Sequence, residues 1–128
     1  MILLDTCTLL WLVSDLSQIS PKAKEMIKTY NEGLFISAIS AFEISLKNSK
    51  GKMKLPSPVN IWFNESVEFH GINEIVVNSQ IAIQANQLPN LHYDPCDRMI
   101  IATAQLHNFI LLTPDPLIQK YPNIHCVW

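Results

Sequence analysis

Met1-Ile2-Leu3-Leu4-Asp5-Thr6 opens the chain with four apolar residues and then stops at a carboxylate. An apolar run without polar alternation suits a strand covered on both faces, and such strands belong to parallel sheets. Similar segments recur at residues 34–37, 75–77, 109–113 and 124–128, which read as strands two to five. Helical signals fill the gaps. Residues 9–13 continue apolar as a helical turn. Ser20-Pro21 supplies an N-cap and N1 pair for a helix through Ala23, Met26, Ile27 and Tyr30 that stops near Gly33. Ile39, Phe42, Glu43 and Leu46 share one helical face, which puts a carboxylate on an apolar stripe. Ser57-Pro58 opens the next helix, with Val59, Trp62, Phe63, Val67 and Phe69 as its apolar residues and Gly71 as its stop. Ser79 caps a helix through Ile81, Ala82, Ala85 and Leu88 that Pro89 ends. Asp94-Pro95 repeats the N-cap signal for a last helix ending near Asn108.

Strands alternating with helices predict an α/β fold: one domain over residues 1–128, with a central, mostly parallel five-stranded sheet flanked by helices on both faces. Ligand sites of such folds lie beyond the carboxyl ends of the strands. Asp5 follows strand one directly, Asp115 lies just past strand four, and Glu43 stands on the early turns of the helix after strand two. Acids far apart in sequence therefore converge at one edge of the sheet.

Composition narrows the function. With 128 residues, 48% of them hydrophobic, the chain can bury a core, and disorder is excluded. Gly33, Gly51 and Gly71 are spaced too widely for a glycine-rich phosphate loop. Nine basic against 11 acidic residues leave a formal charge of −2, which argues against broad basic contact with duplex nucleic acid. Cys7, Cys96 and Cys126 form no Cys-x-x-Cys pair, so they read as reduced thiols rather than zinc ligands. The N-terminus lacks a basic leader and no apolar run approaches the ~18 residues of a spanning helix, so a cytoplasmic protein without membrane contact is expected.

Four of the five aspartates, Asp5, Asp94, Asp97 and Asp115, stand at apolar or Pro-flanked junctions rather than on charged faces. Gathered carboxylates repel one another unless a positive charge sits among them. Mg²⁺, with Mn²⁺ as a substitute, suits oxygen donors and keeps waters that leave room for a phosphate oxygen. Each acid also has a plainer explanation. Asp94 reads as a helix N-cap, Asp97 as a complement to the helix dipole, Asp115 as a turn residue, and Glu43 as the end of a Ser40-x-x-Glu43 capping box. Asp5 has no cheap structural reason to follow a buried strand. Lys47, Lys50, Lys52 and Lys54 read equally as a solvated helix end or as a rim beside the acids that guides phosphates. Arg98, the only arginine, is expected to pair with a carboxylate or a substrate phosphate. His92 reads as a loop residue with local bonds and receives no part in the chemistry, and Trp11, Trp62 and Trp128 read as core or interface aromatics.

Asp5-Thr6-Cys7-Thr8-Leu9-Leu10-Trp11 resembles the opening of PIN-domain ribonucleases of the VapC toxin type. The segment from His92-Tyr93-Asp94-Pro95-Cys96-Asp97-Arg98 to Ala102 resembles their second signature, and Ser37 to Ile44 and Leu112-Thr113-Pro114-Asp115 match the remaining two in order and spacing. The resemblance implies a metal-dependent endoribonuclease, the toxin of a bacterial toxin–antitoxin pair, that leaves a 5′-phosphate and a 3′-hydroxyl. It puts Asp5, Glu43, Asp97 and Asp115 in the metal-binding catalytic site, with Asp94 in support; within that set Asp5 and Asp97 are expected to hold Mg²⁺, and Arg98, beside Asp97, is expected to support the site. It further implies a homodimer and a VapB-type antitoxin whose C-terminal segment occupies the site. Relatives commonly carry histidine at position 7 and phenylalanine at position 96; cysteine there predicts sensitivity to oxidation. The alternatives are a catalytically silent PIN-like protein-binding module and a phosphatase or phosphotransfer domain. The phosphatase reading wants Asp-x-Asp at the first strand, where position 7 is Cys.

Overall fold

The computed structural model describes residues 1–128. The strands are β1 (Ile2–Leu4), β2 (Leu34–Ser37), β3 (Asn73–Ile75), β4 (Ile110–Leu112) and β5 (His125–Val127). The helices are α1 (Thr6–Ser14), α2 (Pro21–Thr29), α3 (Ala38–Ser49), α4 (Val59–Phe69), α5 (Ser79–Gln87) and α6 (Pro95–His107). Short 3₁₀ turns at Leu16–Gln18 and Ile118–Lys120 add to these.

All five strands run parallel in the order β3-β2-β1-β4-β5, so the expected mostly parallel sheet is wholly parallel. β1 lies at the centre, with Ile2 opposite both Leu34 and Ile110, and its three residues are completely buried. Ile2 and Leu4 point into the larger core with Leu9, Ile36, Ile44, Trp62, Phe63 and Leu112. Leu3 points the other way, to Ile100, Ile101, Ala104 and Leu111. The alternation of one short strand thus feeds two cores, and helices cover both faces as expected.

Several local expectations shift. α1 is a full nine-residue helix rather than one turn, and Asp5, expected to lack a structural reason, caps it by accepting from the Thr6 N–H at 2.8 Å. Ser37 is the N-cap of α3 and its hydroxyl accepts from Ile39 N–H, so Ser40 is interior and the Ser40-x-x-Glu43 capping box does not form. Nor does α3 bury Phe42 and Leu46, which are exposed. Ser40 bonds the Thr6 hydroxyl at 2.8 Å and Ile44 enters the core, turning the helix so that Ser40, Glu43 and Ile44 face inward. Pro58, not Ser57, precedes α4 and offers no side-chain cap. Asn78, not Ser79, caps α5 through Ile81 N–H. β3 starts two residues early because Phe35 and Ser37 pair with Asn73 and Ile75, which leaves Val76 exposed. The expected Gly71 stop holds, with φ at +62°.

Candidate active site

β1 and β4 are neighbours, yet the chain leaves β1 toward β2 on one side and β4 toward β5 on the other. This change of direction opens a crevice beyond their carboxyl ends. Asp5 enters it from β1 and Asp115 from the loop after β4. α3 contributes Glu43 and Lys47, and the first turn of α6 contributes Asp97. Together with Thr6, Cys7, Leu10 and Pro114 they line a cleft of about 250 Å³. A larger groove, about 580 Å³ and bordered by Asn108, Phe109, Ile110, Asn123 and His125, lies at the opposite strand ends and carries no carboxylate.

Asp5 is 5% exposed and held at both oxygens. Oδ1 accepts from Thr6 N–H, and Oδ2 accepts from the Thr113 hydroxyl at 2.6 Å, with the Cys7 thiol at 3.7 Å. Burial raises its pKa, the Thr113 and Thr6 bonds oppose the rise, and Glu43 adds to it. Asp97 is pushed up to about 7. Burial dominates there, followed by the charges of Asp5, Asp94 and Glu43, while His92 pulls the other way. Glu43 places Oε2 3.4 Å from the Lys47 ammonium. Its Oε1 is buried with no hydrogen-bond partner, an arrangement that costs stability unless a ligand completes it. Asp94 caps α6 through the N–H groups of Cys96 and Asp97, so its plain reading stands. One oxygen each from Glu43, Asp94 and Asp97 nevertheless lies within 4.8 Å of the others.

The structure therefore gathers Asp5, Glu43, Asp94, Asp97 and Asp115, and it separates the basic candidates. Lys47 lines the cleft, whereas Lys50 ends α3 and Lys52 and Lys54 occupy exposed positions beyond it. Arg98 pairs with no carboxylate. Its guanidinium bonds the carbonyls of Ala85, Leu88, Pro89 and His92 at 2.8–3.1 Å, because the turn from α5 into α6 leaves these oxygens without helical donors. The thiols are free, and burial above all raises Cys7 to about 12 and Cys96 to about 11. Thiols held protonated are poor nucleophiles, which runs against the expected sensitivity to oxidation. Trp62 is buried, and Trp11 packs against Trp128 with ring centroids 5.8 Å apart, as core aromatics should.

Two residues at the site have no part in it on the sequence reading: His92 reads as a loop residue, and Thr113 is not singled out. His92 Nε2 lies 3.0 Å from Asp97 Oδ2 and 3.1 Å from Asp115 Oδ2. Thr113, fully buried, bonds Asp5 and accepts from Asp115 N–H. The Thr-Pro-Asp turn was a visible signal for Thr113; the 23-residue separation of His92 from Asp115 left none in the chain.

The carboxylates, with one buried oxygen unpartnered and a single lysine among them, are a donor set fit for a hard cation. Fold and site define the class: an α/β protein with an acid-lined cleft at the switch point of a parallel sheet. The PIN domain family model matches residues 2–124, and the chain belongs to that family. It is 29% identical over 130 positions to Ribonuclease VapC22 of Mycobacterium tuberculosis, covering 99% of this chain and 98% of that one. The fold is similar to a chain of the DNA-bound VapBC of Salmonella typhimurium, with a TM-score of 0.72 at 18% identity over 98% of this chain and 96% of that one. It is also similar to a chain of VapBC2 of Rickettsia felis bound to a promoter DNA fragment, with a TM-score of 0.71 at 16% identity over 99% and 98%.

Proposed function

We propose that this protein is a Mg²⁺-dependent endoribonuclease, the toxin of a bacterial toxin–antitoxin pair, acting in the cytoplasm on RNA phosphodiester bonds. The observation that carries the reading is the convergence of Asp5, Glu43, Asp97 and Asp115, from four separate segments, on one cleft that contains the unpartnered Glu43 Oε1. Family membership and the ribonuclease relative support it.

Asp5 and Asp97 would hold the cation, with Glu43 and Asp115 completing the site. A bound Mg²⁺ or Mn²⁺ supplies Lewis acidity toward a phosphate oxygen and lowers the pKa of water. The chain's own groups prepare that chemistry. Thr6 N–H and the Thr113 hydroxyl fix the Asp5 carboxylate, sparing it reorganisation when a ligand enters. Lys47 offers a cation to the RNA phosphate at the rim, and the carboxylates are placed to orient a water for in-line attack. Carboxylates gathered in a small cleft oppose an RNA backbone unless a cation sits among them, which supports metal dependence.

Exposed Phe42, Leu46, Phe69 and Tyr93 give the surface apolar contacts suited to a homodimer and to a VapB-type antitoxin. Incubating antitoxin-free protein with a structured RNA pool in Mg²⁺, Mn²⁺ or EDTA, beside Asp97→Asn, tests the function. Metal-dependent cuts with 5′-phosphate ends, absent from the variant, are expected. Folded, monodisperse protein that cuts no RNA at any metal concentration would replace this reading with a silent binding module.

A further inference from the structure

We propose that His92 is a positioning residue that clamps Asp115 beside Asp97 through a hydrogen bond between its Nε2 and the Asp115 carboxylate, and that it is not itself a metal ligand. The inference deepens the nuclease reading and rests on it for the identity of the cation. His92, Asp97 and Asp115 form a cluster whose ligand atoms all lie within 4.8 Å of one another, so geometry alone permits either role. The other ring nitrogen decides between them. Nδ1 faces the backbone N–H of Asp94 at 3.2 Å and accepts from it. With Nδ1 taken up as an acceptor, the ring's donor is Nε2, which bonds Asp115 Oδ2 at 3.1 Å and lies 3.0 Å from Asp97 Oδ2. A protonated Nε2 has no lone pair for a metal.

The backbone that carries the ring is held for that task. His92 N–H donates to the Tyr121 hydroxyl at 2.8 Å, and its carbonyl accepts from Arg98 at 2.9 Å. Asp115 is thereby bonded at both oxygens, Oδ1 to Leu117 N–H and Oδ2 to His92. The clamp joins the loop after β4 to the segment that leads into α6, and so sets the Asp115 carboxylate beside that of Asp97. Removing such an outer partner typically costs about 10- to 100-fold in metal affinity or activity.

Mn²⁺ binding tests the clamp independently of catalysis. Calorimetry on the folded protein is expected to show His92→Ala binding Mn²⁺ at least about tenfold more weakly than wild type. His92→Gln, whose amide NH₂ reaches the Nε2 position, is expected to recover most of that loss. Electron paramagnetic resonance of bound Mn²⁺ should show no imidazole nitrogen coupling in wild type. Unchanged affinity in a folded His92→Ala would overturn the clamp, as would failure of His92→Gln to recover it, or a nitrogen coupling that disappears with His92. RNA cleavage by wild type is scored separately. Its absence would sink the nuclease reading while the Mn²⁺ affinities still decide the clamp.

Discussion

Asp97 carries the sharpest electrostatic cost in the molecule, because burial and three neighbouring acids hold its carboxyl at about 7 without metal. The unfolded chain ionises the same group near 3.8. Between those values the native state binds a proton that the unfolded state releases, so stability falls as pH rises through the window. Metal-free wild type is therefore expected to melt several degrees lower at about pH 8 than at about pH 5. Asp97→Asn, which cannot ionise, should flatten that dependence and stabilise the apo protein at the higher pH. Differential scanning calorimetry in EDTA checks both, and parallel pH profiles for wild type and variant would refute the assignment. The same exchange that stabilises the apo protein should abolish cleavage, as expected where carboxylates are gathered for a cation at the expense of stability.

At the scale of elements, the turn between α5 and α6 depends on one side chain. Arg98 satisfies carbonyls from Ala85 to His92, and Tyr121, from beyond the second 3₁₀ turn, bonds the Pro89 carbonyl at 2.9 Å. Together they fix the segment that carries His92 and the Asp94 cap. Arg98→Ala is expected to cost about 3 kcal/mol of unfolding free energy, since several carbonyls lose a charged donor at once. Arg98→Lys should recover less than half, because an ammonium cannot reproduce the planar fork. Urea denaturation measures both. A loss below about 1 kcal/mol in Arg98→Ala would show these bonds to be ordinary surface contacts.

Across the whole molecule the charge is slightly negative, and four of the 11 acidic residues line the cleft where RNA is expected to bind. Lys47 is the lysine that lines the cleft, so Lys47→Ala should raise KM for RNA several-fold and weaken its salt dependence. The same change at Lys52 or Lys54, outside the cleft, should move KM little. Equal effects at all three positions would indicate a diffuse basic rim instead. Steady-state kinetics on a short RNA at two ionic strengths separates these outcomes.

The parallel α/β sheet was legible in the chain, since Ile2-Leu3-Leu4 and its counterparts lack the polar alternation of a solvated strand. It also marked the acids, because Asp5 and Asp115 interrupt apolar or Pro-flanked junctions where local pattern is legible. Short strands left the bounds of β3 open, since its register was set by pairing with Phe35 and Ser37. The inward face of α3 depended on a hydroxyl pair with Thr6, so periodicity favoured Phe42 and Leu46 instead of Ser40 and Ile44. What each polar side chain meets emerged only with the fold: Arg98 caps carbonyls, Thr113 grips Asp5, and His92 bonds Asp115 beside Asp97. Hydrophobic burial repeats along the chain and can be read from it, whereas a hydrogen bond is specific to two atoms whose meeting requires the whole fold.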